Sequence, residues 1–381
     1  MSEFFSISTN LLNISIFTLA FAALLLGATI FTNGIEWLGH KTGMSESATG
    51  SILAAVGTAL PETMIPVIAI YTVWVTGGAS SAEDVGVGAI LGAPFMLATI
   101  AMFLIGCSLI FFKSRRSSGA QLKIYSPATL TDLSFFIIAY TLALIAAIVP
   151  WRTLSIVIAF TLLVLYAVYI RRTLRSGVDI EAESLDDLYL GKVCDRTIGR
   201  ISSLNISDQS SNPSTILVSF QSLLALGIII LGAHMFIDAV EWLSSDVLSL
   251  PIAVIALLLA PLATELPEKM NSVIWISKGK DVLALGNITG ALVFQSTIPV
   301  VLGILFTSWN LSFDWGTVGF LNALSAILAI AGTSLLYVRV KYSKDGMLDR
   351  IPFLIGGILY LLFILILIYH LMYFDLSTIS H

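Results

Sequence analysis

Two carboxylates and a proline stand inside an apolar run at Leu262-Ala263-Thr264-Glu265-Leu266-Pro267-Glu268, and a shorter twin, Gly57-Thr58-Ala59-Leu60-Pro61-Glu62, lies far upstream. An ionisable group inside a membrane span costs roughly 2.5–3.5 kcal/mol on insertion scales, so such groups persist where ions, protons or substrate are handled. A proline within a helix loses its own N–H bond and pushes away the carbonyl four residues earlier. Pro61 would loosen the oxygen of Gly57 in this way, and Pro267 that of Ala263. With the hydroxyls of Thr58 and Thr264 and the carboxylates of Glu62 and Glu268, these make an all-oxygen nest. Oxygen-only ligands favour hard cations, and Ca2+ commonly takes about 6–8 of them. The two cysteines, Cys107 and Cys194, lie away from both motifs and only His234 could approach, which disfavours soft-metal chemistry. No Gly-x-x-x-x-Gly-Lys-Ser/Thr loop is present, so ATP is not the evident energy source.

The elements that hold such a nest must be membrane helices. Hydrophobic residues make up 57% of the chain and charged ones only 11%, with a mean hydropathy of +0.95. Taking about 20 apolar residues per crossing, ten spans emerge: 11–37, 47–76, 86–112, 128–149, 152–171, 215–243, 249–277, 281–307, 316–338 and 352–373. The first continues beyond a signal-peptide core and follows no basic segment, so it reads as a retained helix. If the spans alternate, the connections 38–46, 113–127, 172–214, 278–280 and 339–351 share one side. With the end of the fifth span, that side holds every Lys and Arg of the 19 except Arg152 and Lys269. The positive-inside rule puts it in the cytoplasm and both termini outside. The 172–214 connection mixes acids with bases and reads as a solvated connector.

The chain also repeats itself. Laying Leu26 to Leu38 on Leu231 to Leu243 matches Leu, Gly, Ala, Phe, Glu, Trp and Leu without a gap. Thr58, Leu60, Pro61 and Glu62 then fall on Thr264, Leu266, Pro267 and Glu268, and Gly88 to Ala93 parallels Gly286 to Ala291. The expected organisation is therefore an all-α polytopic membrane protein: a five-helix repeat over 1–171, a cytoplasmic loop over 172–214 and a second five-helix repeat over 215–381. Five is odd, so the second copy enters from the opposite face. Inverted repeats of this kind hold their substrate near the midplane, where corresponding helices are interrupted.

The paired blocks resemble the α-repeats of the cation/calcium exchanger superfamily, closest to its sodium/calcium exchanger branch. Gly57-Thr58-Ala59-Leu60-Pro61-Glu62 resembles the family's Gly-Thr-Ser-Leu-Pro-Glu, and Ala263 to Glu268 is its second copy with two changes. Gly286-Asn287-Ile288-Thr289-Gly290 resembles the start of the family's Gly-Asn-x-x-Gly-Ser-Asn element. The resemblance covers roughly residues 26–112 and 231–307. It implies ten helices, alternating access, and Ca2+ export driven by Na+ or H+, with Glu62 and Glu268 as principal ion ligands. Where the family carries Ser, Asn or Asp facing the ions, this chain has Ala93, Pro94, Leu97, Ala291, Leu292 and Gln295, and Ala59 replaces a motif serine. Much of the usual sodium-ligand set is thus missing, and Na+ and H+ both stand as counter-ions.

Several residues carry two readings. Glu265, which replaces the other motif serine, is either a titratable ligand of the site or half of a self-neutralising pair with Lys269, four residues on. Asn287 and Gln295 are either further oxygen ligands or interhelical hydrogen-bonding groups. Thr58 and Thr264 are either ligands or hydroxyls bonded back to their own helix. His234 reads as a satisfied packing residue, and Glu36 and Glu241 as interfacial anchors beside Trp37 and Trp242. The sequence expectation is a secondary cation antiporter of the plasma membrane, not an enzyme, whose partners are inorganic cations and the bilayer, with no cofactor and no nucleic acid. The alternatives are the same fold carrying Mg2+, Mn2+ or a monovalent ion, and a transport-dead scaffold or sensor.

Overall fold

Apolar runs long enough to bridge a bilayer must satisfy their backbone internally, so they fold as helices. In the computed structural model of the protein, residues 2–59, 63, 80–175, 185–198, 210–242, 265–343 and 345–374 are described. The first repeat contributes α1 (Ser2–Lys41), then α2, built from Glu46–Ala48, a π-helical stretch Thr49–Ala54 and Ala55–Thr58. After it come α3 (Ser80–Met96, a π-helical Leu97–Ala101, then Met102–Phe111), α4 (Ser126–Ile148) and α5 (Arg152–Thr173). The short α6 (Tyr189–Ile198) precedes the second repeat: α7 (Thr215–Trp242), α8 (Leu266–Ser277), α9 (Asp281–Gln295), α10 (Ile298–Phe306), α11 (Val318–Lys341) and α12 (Ile351–Tyr373). Among the described residues, 8 helical stretches are long and apolar enough to cross a membrane. The other two expected spans, 47–76 and 249–277, are described only in α2 and α8.

Burial separates centre from rim. The α9–α10 stretch is 83% buried and α5 only 28%, so α9 forms the middle of the bundle while α5 turns Phe160 and Val164 outward. Around α9 pack α2, α3, α4 and α8. Small residues let these backbones approach, which is how membrane helices associate without a hydrophobic drive between them. A Cβ on Gly290 would come within 2.2 Å of the Ser51 carbonyl oxygen, and one on Gly50 within 2.8 Å of that of Leu283. At Gly286 a Cβ would meet Ser51 Oγ at 3.1 Å, so α9 runs close to α2 there as well.

Helix α1 lies antiparallel along α7. Gly27 meets Ile229, Gly34 meets Ser222, and Gly232 meets Leu24. In the alignment that lays Leu26 on Leu231, Leu24 falls on Ile229 and Gly27 on Gly232. Gly27–Ile229 and Gly232–Leu24 are therefore one contact made twice, in reverse.

All five connections assigned to one side are joined to one another. A two-stranded antiparallel ladder pairs β1 (Leu122–Lys123) with β2 (Met347–Leu348). Arg116 binds Asp281 through two nitrogens at 2.7 Å each, Lys278 reaches Asp186 at 2.7 Å, and Lys41 reaches Asn212 at 3.0 Å. Glu36 is held by Lys280 and by the Trp275 indole nitrogen. On the other side, Arg152 donates to the carbonyls of Ile304 and Leu305, and the Trp309 indole donates to that of Ala143.

Three expectations need correction. Glu36 is no interfacial anchor: it is 1% exposed and neutralised by Lys280, because the turn between α8 and α9 folds over the end of α1. The described part of the 172–214 connection is not simply a solvated connector. Leu188 is buried against Trp37 and Val218, while Asn33 and Gln221 accept the amide hydrogens of Tyr189 and Leu190. His234 is exposed, and among the described residues its ring bonds the Ile230 carbonyl of its own turn, so it fills no packing gap.

Candidate cation site

The second motif straddles a helix start. Glu265 occupies the N-cap of α8 with φ −82° and ψ 3°, and Pro267 stands in the first turn. There the missing N–H removes no helical bond and the fixed φ suits the helix. The proline thus stands at the start of α8, in the middle of the expected 249–277 span; the residues before Glu265 lie outside the described ones. Glu268 follows in the same first turn, 0% exposed, at the end of α8 where the helix dipole is positive. Glu62, Pro61, Ala263 and Thr264 lie outside the described residues.

Glu265 and Lys269 form the pair their spacing allows. The ammonium sits 2.7 Å from Glu265 Oε2, with the two side chains 1% and 0% exposed. Among the described residues, Glu265 Oε1 has no hydrogen-bond partner.

Asn287 on α9 clamps the motif helix. Its Nδ2 donates to the Glu268 carbonyl at 3.0 Å and to Ser272 Oγ at 3.1 Å, so the amide hydrogens do the interhelical work. Its Oδ1, buried and without a partner among the described residues, is left as an acceptor. Thr58 Oγ1 donates to the Ala54 carbonyl at 2.9 Å. That bond uses the one hydroxyl hydrogen within its own helix and turns the oxygen lone pairs away from it, as a cation ligand requires. Helices α8 and α9 both pack on the Ala55–Thr58 turn, so the oxygens of Thr58, Glu268 and Asn287 are carried on three mutually contacting elements. Gly57 is half-buried and gives room to Phe31 of α1, whose ring would lie 2.9 Å from an added Cβ. Gln295 is buried at the last residue of α9, about 12 Å along the axis from Asn287, two turns beyond the clamp.

Sequence reasoning passed over Asn271. It is 0% exposed, three residues after Glu268 on the same helix flank, and neither amide atom has a partner among the described residues. An Asn so close to the motif in an apolar run was the available signal. Among the described residues no three His, Cys, Asp or Glu side chains gather to hold a metal ion.

A bundle of membrane helices around a buried oxygen set is the construction of an ion carrier. The sequence profile described as sodium/calcium exchanger protein matches residues 12–174 and 218–372. The chain belongs to the sodium/calcium exchanger family and is a multi-pass membrane cation antiporter. An uncharacterized membrane protein of Methanocaldococcus jannaschii is 26% identical over 348 residues, spanning 90% of this chain and 95% of that protein. Among solved structures, the sodium-calcium exchanger NCX_Mj soaked with Na+ and Ca2+ shares the fold with a TM-score of 0.67 at 20% identity, covering 93% of this chain and 98% of that one. The same exchanger soaked without Na+ or Ca2+ gives 0.65 at 21% identity, with the same coverage.

Proposed function

We propose that the protein exports Ca2+ in exchange for Na+ or H+, by alternating access around the carboxylates of Glu62 and Glu268. The architecture of this reading is ten spans in two inverted five-helix repeats, with both termini outside the cytoplasmic membrane. Access switches as α1 and α7 move across the core. The reciprocal contact between α1 and α7 supports the inverted relation.

The observation that carries the cation reading is charge. Lys269 cancels Glu265 within a buried pair, so the motif carboxylates that remain, Glu62 and Glu268, carry two negative charges when ionised. One divalent ion neutralises them, and so do two monovalent ions. The ligands are then Glu62, Glu268, Thr58, Thr264, Asn287 Oδ1 and the carbonyls of Gly57 and Ala263, with Glu265 Oε1 and Gln295 as outer oxygens.

The test is uptake of radioactive Ca2+ into proteoliposomes under imposed Na+ or pH gradients, with Mg2+ and Mn2+ as competitors. Uptake should follow one of the gradients and fall at least about a hundredfold in Glu62→Gln and Glu268→Gln, since neutralising either of the two carboxylates whose charge balances the ion removes several kcal/mol of ion binding. Uptake untouched by both substitutions would sink the site. Stronger competition by Mg2+ or Mn2+ than by unlabelled Ca2+ would reassign the substrate.

A further inference from the structure

One buried acid has no part in the site above. Asp132 on α4 is 1% exposed and is held by hydroxyls from three other helices. Ser51 Oγ of α2 donates to Asp132 Oδ2 at 2.8 Å, Thr289 Oγ1 of α9 reaches the same oxygen at 2.6 Å, and the Tyr169 hydroxyl of α5 donates to Oδ1 at 3.1 Å. No Lys, Arg or His is among these partners. We propose that Asp132 is a proton-binding site distinct from the cation site, and that its occupancy sets the rate of the antiport proposed above, a reading on which the second clause rests.

The argument is a count of hydrogens. Thr289 Oγ1 also lies 3.0 Å from the Leu285 carbonyl, yet a hydroxyl has a single hydrogen to give. With Asp132 ionised, Thr289 donates to Oδ2. When a proton arrives from water it bonds to Oδ2, the new O–H donates to Thr289 Oγ1, and the threonine hydrogen turns to Leu285. Ser51 and Tyr169 donate in both states. Charged and neutral forms are thus both fully bonded with every heavy atom in place. A metal ion does not fit the same cluster, because oxygens already in hydrogen-bond contact would have to separate to admit it; a proton adds no volume.

The surroundings leave the proton as the local variable. On α5 the ionisable groups facing Asp132 are Tyr169 and, behind it, Tyr166, whose ring centroids lie 6.0 Å apart. The acid of α9, Asp281, is held by Arg116. Helix α11 brings no ionisable residue from Val318 to Leu336, its Arg339 is paired with Asp349, and α10 has none. Helix α2 brings Glu46, more than one turn before Ser51.

The cluster is also mechanically tied to the cation site. Ser51 sits in the π-helical stretch of α2 that leads to Thr58, pressed against the backbone of Gly290. Thr289 shares a helical turn with Asn287, the residue that holds the Glu268 carbonyl.

Infrared difference spectroscopy on the full-length protein in lipid, titrated from roughly pH 4 to 9, reads buried carboxyls directly. A protonated-carboxyl band that grows on acidification and vanishes in Asp132→Asn is expected. Its absence, or its presence unchanged at every pH, would overturn the proposal. In proteoliposomes Asp132→Asn mimics the neutral acid, so its flux should equal the wild-type acid limit at every pH; an unaltered wild-type pH profile overturns the coupling. Should Asp132→Asn fail to fold, Thr289→Val removes the relay hydroxyl at nearly constant shape and should change proton affinity on the order of tenfold. An unmoved midpoint would count against it. A carboxyl that titrates in a protein carrying no cation flux would fail the antiport reading and leave the proton site standing.

Discussion

Two buried ion pairs in this molecule share a length of 2.7 Å and near-zero exposure, yet they are built differently. In Arg116–Asp281 each guanidinium nitrogen is bonded, to Gly119, Ile276, Ser118 and Gln121 as well as to the acid, and Asp281 also accepts the Lys123 amide. In Lys269–Glu265 the pair stands alone: Glu265 Oε1 has no partner and the ammonium bonds nothing else among the described residues. A buried charge pair recovers its desolvation cost only when its remaining lone pairs and protons are also satisfied. The first pair therefore acts as a rivet that locks the 113–127 connection to the turn between α8 and α9. The second leaves Glu265 Oε1 without a partner among the described residues, available to the cation site proposed above.

The sharpest break is Arg116→Met. It strands Asp281 in the interior and should cost about 3–5 kcal/mol, read as a large fall in thermal midpoint of the purified protein. Lys269→Met leaves an already under-bonded carboxylate at a polar site, and the expected loss is roughly 1–3 kcal/mol. A loss as large as that of Arg116→Met would make the two pairs equivalent and erase the distinction. Removing both partners with Glu265→Ala and Lys269→Thr reproduces Ala59 and Thr63 of the first repeat, and should fall within about 1 kcal/mol of wild type. If the double variant is as unstable as Lys269→Met, the pair is structural after all.

The smallest effect belongs to a third pair, Lys278–Asp186, whose side chains are 28% and 55% exposed. The Lys278 ammonium hydrogen-bonded to Asp186 holds that carboxyl below the ordinary carboxylate range. Its contribution is complete above the unfolded-chain value near about 3.9 and is lost as pH falls through the lower folded value. With solvent screening it amounts to about 0.5 kcal/mol or less. Asp186→Asn should thus lower the thermal midpoint slightly at neutral pH and not at all once pH is below both values; a deficit that persists there points to packing instead of charge.

Much of this was legible in the chain, for identifiable reasons. Membrane helices announce themselves by length and apolarity, and the Lys and Arg bias sorted the connections onto the face where they are found bonded together. Interactions that join distant segments left no local trace. Asp132 is an acid in an apolar run like Glu62, but it repeats nowhere, and Ser51, Tyr169 and Thr289 lie on three other helices. The docking of Leu185–Leu188 escaped notice because the segment reads as polar, while its backbone carbonyls accept from Asn33 and Trp37.

The seam between α1 and α7 has a consequence beyond packing. A contact made twice in reverse is what two identical chains form across a twofold axis, where any substitution alters both places at once. Joined in one chain, the copies are free to drift apart. Leu24 answers Ile229, and Thr29, bonded to Leu25 within its own turn, answers His234, which faces outward. Gly27 and Gly232 have not drifted: each receives the other helix where a Cβ would find 3.2 Å or less, so divergence along this seam stops where the two backbones meet.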